Sequence, residues 1–109
     1  MSDALITRLE TLLEQGQDNA LLRFGLGQAL LKAGRAGDAA QHLAAAVAHD
    51  AGYSAAWKLL GKARMECDDP QGAADAYRNG IEAATEKGDR QAVREMAVFL
   101  RRLEKGQAT

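Results

Sequence analysis

The sequence predicts an all-α protein built from repeated helix pairs, and two observations lead to this prediction. The 47% of residues that are apolar are rich in Ala and Leu, only 5% are aromatic, and the 109 residues include one Pro. Ala and Leu lose little free energy on entering a helix. Similar residues also recur 34 positions apart: Leu26-Gly27 recurs as Leu60-Gly61, Ala39 as Ala73, Leu43 as Tyr77 and Ala46 as Gly80. A period of this length is typical of helical repeat arrays.

The first helix is predicted near the N-terminus. Ser2 or Asp3 would cap its start, and Gly16 would end it in a left-handed turn. Its apolar residues recur at helical spacing: Leu5, Leu9, Leu12 and Leu13.

The second and third helices follow with short connections. Asp18 or Asn19 would cap the second helix, which runs to about Ala33 and stops before Gly34, a residue suited to positive φ. The third helix spans Ala36 to His49 after a tight turn.

Three further helices are predicted in the second half of the chain. The fourth runs from about Ser54 to Cys67. Asp69 would cap the fifth, with Pro70 at its first position, and this helix continues to about residue 86, before Gly88. Asp89 would cap the sixth helix, whose apolar residues are Val93, Met96, Ala97, Leu100 and Leu103.

These positions resemble the tetratricopeptide repeat, a helix-turn-helix unit of 34 residues with a sparse pattern of large and small side chains. Residues 54–87 fit the pattern with Trp57, Leu60-Gly61, Ala73, Tyr77 and Gly80. Residues 20–53 fit it with Leu26-Gly27, Leu30, Ala39, Leu43 and Ala46, although Arg23 stands in the place of Trp. The closing Pro of the pattern is absent from both units. The resemblance implies an α-solenoid, a right-handed superhelix of antiparallel helix pairs.

The resemblance also divides the single expected domain. Residues 1–19 form an N-terminal flanking helix, 20–53 the first repeat, 54–87 the second repeat, and 88–109 a C-terminal capping helix. A shift of 36 residues aligns the last helix best, carrying Trp57 to Val93 and Leu60-Gly61 to Met96-Ala97. We therefore expect two inserted residues between 85 and 89, and a complete, capped array.

In this family the first helix of each unit lines the concave face of the superhelix. Ligands contact those residues of the helix that do not enter the packed core. The implied partner-binding residues grade from apolar to basic: Leu21, Phe24, Gln28 and Leu31, then Lys58, Lys62 and Met65, then Arg94, Val98 and Arg101. Such a surface suits a peptide or helix of another protein, with an apolar anchor and carboxylates. The open alternatives are burial of the apolar stripe against the N-terminal helix and an ordinary solvated basic face.

A different function class, self-assembly, is the main rival. In that case the face formed by Leu21, Phe24 and Leu31, or an end of the array, would make a homo-oligomer. Some members of the family instead clamp the C-terminal carboxylate of heat-shock chaperones. Here Phe24, Gln28, Leu59 and Glu95 occupy positions of that clamp, so we do not expect a chaperone-tail adaptor.

Charge and composition argue against other classes. The chain has 14 basic and 15 acidic residues, a formal charge of −1 and a pI of about 6.1, so we expect no nucleic-acid partner. No apolar stretch reaches the about 20 residues of a membrane-spanning helix. The lone Cys67 and the lack of a signal peptide favour a cytoplasmic protein.

No catalytic or cofactor-binding pattern is present in the sequence. His42 and His49 would lie about 10 Å apart along one helix, too far to share a metal ion. Asp68-Asp69 precedes Pro70 and is explained by capping. We therefore expect no enzyme activity, no cofactor and no metal, and a protein-protein interaction module as the function.

Overall fold

The computed structural model describes residues 2–108 and contains six α-helices in that range. They are α1 (Ser2–Glu14), α2 (Ala20–Lys32), α3 (Ala36–His49), α4 (Ser54–Glu66), α5 (Pro70–Lys87) and α6 (Arg90–Ala108). The predicted ends of α2, α4 and α5 differ by one residue from those observed. The all-α prediction is confirmed.

Each helix packs mainly against its neighbours in the chain, because the connections are too short to reach further. Helices α2 and α3 form one pair, and α4 and α5 form the next. In addition, α4 contacts both α2 and α6. These three helices therefore lie side by side and form one face of the molecule.

Side-chain caps begin three of the helices at predicted residues. The amide of Leu22 donates to Asn19 Oδ1 over 2.9 Å at the start of α2. Asp69 caps α5 in the same way, with Pro70 at the first position, and Asp89 Oδ1 accepts from the amide of Ala92 at 3.1 Å. Ser2 and Asp3, the predicted caps of α1, both lie within that helix.

Residues with positive φ follow four of the described helices, α1, α2, α4 and α5. Gly16, Gly34 and Gly88 have φ of 92°, 79° and 75°, as expected for the residue type that loses least there. Asp68 lies 34 positions after Gly34 and also takes positive φ, 56°. The second repeat thus makes the turn of the first without its glycine.

Glycines at the helix crossings let each pair pack closely. A Cβ at Gly27 would overlap the side chain of Leu43, and a Cβ at Gly61 would lie 2.5 Å from two ring carbons of Tyr77. Fully buried alanines fill the remaining contacts between helices: Ala39, Ala46, Ala56, Ala63, Ala73, Ala76 and Ala84.

Arg23, which replaces the Trp of the repeat pattern, links three segments through hydrogen bonds. Its Nε and Nη2 donate to the two carboxylate oxygens of Asp18 at 2.7 and 2.9 Å, and these bonds hold the pKa of Asp18 well below its usual range. Nη1 lies 3.1 Å from His42 Nδ1 on α3. Asp18 also pairs with His49 Nε2 at 2.9 Å. Arg23 thereby fastens α2 to α3 with polar contacts.

Substitution of Gly61 by Ala should destabilise the protein by up to about 2 kcal/mol. A methyl group there overlaps the Tyr77 ring, and overpacking costs roughly 1–3 kcal/mol, more than the about 1 kcal/mol that Ala gains over Gly inside a helix. Urea unfolding followed by circular dichroism measures the difference. Gly37→Ala is the matched control, because its Cβ meets open space; it should raise stability, and equal behaviour of the two variants would contradict the packing account.

The free energy of unfolding should decrease as the pH falls below about 6.5, the ordinary pKa of histidine. Burial and the neighbouring Arg23 lower the pKa of His42 in the folded protein, and the opposing effects of Glu10, Asp38 and Asp18 are smaller. Because Arg only donates, His42 Nδ1 must accept and the ring must be neutral. The unfolded chain therefore binds a proton more readily than the folded one, and acid favours unfolding.

Urea titrations at pH 7.5 and 5.5 test this expectation. His42→Gln should show a smaller loss of stability between the two pH values than the wild-type protein, since the amide oxygen accepts from Arg23 without titrating. His49→Gln removes the other histidine and should leave the His42-dependent loss in place. If the pH dependence of stability disappears with His49→Gln and persists with His42→Gln, it arises from His49, and the account based on His42 is contradicted.

Candidate functional site

The face formed by α2, α4 and α6 contains a groove with a cavity of about 620 Å³. Residues of these three helices form its sides, and Tyr77 of α5 contributes the deepest side chain. The lining is mostly apolar, with one glutamine, two lysines and one glutamate: Phe24, Gln28, Ala55, Lys58, Leu59, Lys62, Met65, Glu66, Tyr77 and Phe99.

Two aromatic pairs give the groove a firm apolar surface. Tyr77 is buried and stacks on Phe99 of α6, with ring centroids 5.5 Å apart and an angle of 23° between the planes. Burial raises the pKa of Tyr77. On the opposite side, Phe24 stacks on Tyr53 at 4.9 Å and 26°. Because each ring is held by a second one, both aromatic sides are pre-ordered for a ligand.

The charged groups lie along α4 and α6. Lys58 Nζ donates to Glu95 Oε1 over 3.1 Å and so joins α4 to α6. Lys62 follows Lys58 by one turn and forms no ion pair within residues 2–108. Glu66, another turn further, also lines the cavity. The free positive charge of the groove is therefore concentrated at Lys62.

A smaller cavity of about 260 Å³ extends the groove toward the C-terminal end of α6. It shares Met65, Tyr77 and Phe99 with the larger cavity, and Arg102 and Leu103 complete its lining. The apolar surface thus continues past Phe99 and ends beside a second cation, the guanidinium of Arg102.

Half of the sequence-predicted binding residues lie together in this groove. Phe24, Gln28, Lys58, Lys62 and Met65 all line the larger cavity. The other five do not.

Leu21 and Leu31 of α2 both lie outside the groove, in opposite environments. The side chain of Leu21 is 72% exposed, away from the groove lining. Leu31 is only 9% exposed and packs in the core. Leu31 is therefore a core residue, which corrects its assignment to the binding surface.

The predicted stripe on α6 is displaced by one residue. Arg94, Val98 and Arg101 are exposed but do not line either groove cavity, whereas Phe99 and Arg102 do. The sequence shift of 36 carries Lys58, Lys62 and Met65 onto the first set of three. One residue corresponds to about 100° around a helix, so α6 presents a different face to the groove from the one that repetition predicts.

Phe99 gives the physical reason for this displacement, and sequence reasoning missed it. The same shift of 36 places Phe99 at the position of Ala63, which follows Ala29 by 34. Both alanines are buried between helices, and a phenyl ring does not fit where a methyl group does. In α6 the ring lies over Tyr77 at the edge of the groove. An aromatic residue at an alanine position is the signal that would have identified it.

Among the described residues, no three His, Cys, Asp or Glu side chains are grouped to hold a metal ion. None of the six described helices is long and apolar enough to cross a membrane.

Comparisons with known proteins agree with the fold. Residues 3–63 match the model of the family described as tetratricopeptide repeat (TPR). A TPR repeat-containing protein of Pseudomonas aeruginosa is 52% identical over 101 residues, which cover 93% of this chain and 96% of that protein. The solution structure of a Bordetella parapertussis protein is 45% identical, has a TM-score of 0.79, and aligns over 95% of this chain and 90% of its own.

A more distant structure shows the same fold with a ligand. It is the first TPR of Spaghetti (RPAP3) bound to the HSP90 peptide SRMEEVD, with a TM-score of 0.69 and coverage of 99% of this chain and 94% of that one. At 20% identity, this likeness concerns the fold alone.

Proposed function

Since the chain belongs to the tetratricopeptide repeat family, whose fold is typical of protein-interaction modules, we propose that it binds a peptide or helix of a partner protein in the groove between α2, α4 and α6. One observation carries the proposal: the groove exposes a mostly apolar surface between three helices. Met65 and Phe99 are 41% and 36% exposed there. Grouped apolar side chains of this kind mark interaction sites.

The groove defines what a partner segment must offer. An apolar side chain would enter between Phe24 and Phe99, where stacked rings form both sides and Leu59 and Tyr77 lie between them. Carboxylates beside that anchor would meet Lys62 and, at the far end, Arg102. This arrangement supports an acidic partner with an apolar anchor, although the basic contribution of α6 comes from Arg102 and not from Arg94 or Arg101.

The proposed ligand is not the C-terminal tail of a chaperone. The RPAP3 domain binds an HSP90 peptide. In this chain Phe24 and Gln28 stand where the resemblance implies the Lys and Asn of a carboxylate clamp. Leu59 and Glu95 occupy further clamp positions. An apolar side chain and a carboxylate there bind no ligand carboxylate, so a different segment is required.

The module has no catalytic role in this proposal. The polar side chains that line the groove are an amide, two lysines, a glutamate and a buried tyrosine, and no histidine, cysteine or serine stands there as nucleophile or base. The groove therefore supports binding only.

Self-association through Leu21, Phe24 and Leu31 is the weaker candidate. Phe24 lines the groove and Leu31 lies in the core, so of the two leucines of that face only Leu21 is exposed. Scattered apolar residues of this kind are common on protein surfaces.

We propose one flanking helix (1–19), two repeats (20–53 and 54–87) and a last helix (88–109) as the units of the array, because the pairs α2–α3 and α4–α5 fall within the two repeats.

Substitution of Met65 by Lys should weaken peptide binding at least about tenfold. The charge would stand on the apolar path between the two cavities, and loss of a central anchor contact costs about 1.4 kcal/mol or more. Peptides selected from a random phage-displayed library on the wild-type protein, then synthesised with a fluorescent label, provide the ligands. Fluorescence polarisation gives their dissociation constants.

Leu21→Lys is the matched control, since it places the same charge on α2 outside the groove. It should change the dissociation constants by less than about twofold. Circular dichroism would verify that both variants stay folded. Selected peptides that bind Met65→Lys as tightly as the wild-type protein, or that lose binding with Leu21→Lys, would place the binding surface elsewhere.

A further inference from the structure

The Lys58–Glu95 ion pair lies at the rim of the groove. Through it, Glu95 neutralises one of the two lysines that line the large cavity. The pair joins α4 to α6 at 3.1 Å, and the two side chains are 40% and 42% exposed. Lys58 lines the large cavity, whereas Glu95 lies outside the lining and reaches Lys58 from the side. In the free protein, a carboxylate of the chain itself therefore holds Lys58.

We infer that Glu95 is a built-in competitor for the ligand, and that the ligand is a peptide with a carboxylate next to its apolar anchor. On binding, that carboxylate takes Lys58 from Glu95 and is shared with Lys62. This inference rests on the proposed function, and it adds an intramolecular control of affinity through Glu95.

The geometry of α4 supports an acidic ligand. Lys58 and Lys62 are four residues apart on the same helix and therefore face the same side, about 6 Å apart at Cβ. Lys62 forms no ion pair within the described part of the chain. A single ligand carboxylate would have two ammonium donors, whereas Glu95 bonds to one. The ligand therefore gains more from this site than Glu95 does.

The ion pair is weak enough to exchange. Both partners are about two-fifths exposed and joined by one hydrogen bond, and pairs of this kind contribute little because water and salt screen them. By contrast, α6 is held in place by fully buried Met96 and by Leu103. Opening of the pair does not require α6 to move from the rest of the molecule.

The position of Glu95 is particular to the last helix. The shift of 36 residues aligns Glu95 with Leu59 of α4. The 34-residue period between the two repeats then aligns Leu59 with Gly25 of α2. Neither of these bears a charge, and Leu59 itself lines the cavity. Only α6 among these three helices places a carboxylate at this point, beside the lysine of its neighbour.

Two synthetic peptides test the inference. Both are acetylated and amidated and carry a central Leu-Phe anchor; in one the anchor is flanked by two Glu on each side, in the other by Gln. Titration into ¹⁵N-labelled protein, followed by amide chemical shifts, gives dissociation constants into the millimolar range. The wild-type protein should bind the Glu peptide more tightly, and added salt should remove that preference.

Glu95→Gln should tighten binding of the Glu peptide about two- to fivefold, the range expected for one exposed ion pair, and leave the Gln peptide unchanged. Glu66→Gln is the matched control, because it removes an acid from the same groove without releasing a paired lysine. Its effect should be smaller. In a Lys58→Met background, the excess effect of Glu95→Gln over Glu66→Gln should vanish.

The outcomes separate this inference from the proposed function. If neither peptide shifts groove resonances and library selection also fails, the groove is not a peptide site and both proposals fall. If both peptides bind equally, or if Glu95→Gln weakens or does not change binding of the Glu peptide, the groove binds peptides but Glu95 does not compete. Thermal unfolding of Glu95→Gln should match the wild-type protein within a few degrees, and a large loss would make the pair structural.

Discussion

The close crossing of the helices within each pair is the constraint on which the rest of the structure depends. At Gly61 the absence of a side chain lets α4 lie directly against the ring of Tyr77 on α5. Gly27 and Leu43 make the equivalent contact in the preceding pair. These contacts set the distance between helices, and the distance decides how far side chains of α5 can reach between α4 and α6. The floor of the groove thus follows from a packing requirement of the fold.

If the groove binds a peptide as proposed, Tyr77 serves both stability and binding. Its ring fills the space that Gly61 leaves, and its other side stacks on Phe99 and faces the cavity. A smaller residue at position 77 would leave a void between α4 and α5 and would also remove the floor of the groove. Met65 and Lys62, on the exposed side of α4, are free of this double role, so the chain can change its ligand there without disturbing its core.

The sequence predicts the scaffold well because helix ends are local. Asn19, Asp69 and Asp89 act within three residues of their own position, and the glycine turns require only their own backbone. The sequence predicts only half of the residues that line the large cavity of the groove. Phe24, Lys58 and Lys62 follow from repetition, but α6 departs from it, because Phe99 cannot occupy the space of an alanine. Contacts between distant residues, such as Lys58 with Glu95 or Asp18 with His49, depend on how each helix is rotated, and a period in the sequence does not specify that rotation.

The groove is consequently less basic than a stripe of lysines and arginines on three helices would be. Arg94 and Arg101 lie outside its lining, Glu95 holds Lys58, and Glu66 opposes Lys62 one turn away. In the proposed complex, affinity would come mainly from the apolar surface between Phe24 and Phe99, because the free energy of burying apolar area does not depend on charge. Charge would then select among apolar segments, because Lys62 lines the large cavity and Arg102 the smaller one, and both would disfavour a basic flank. A groove of this kind would distinguish partners by the residues beside the anchor rather than by the anchor itself.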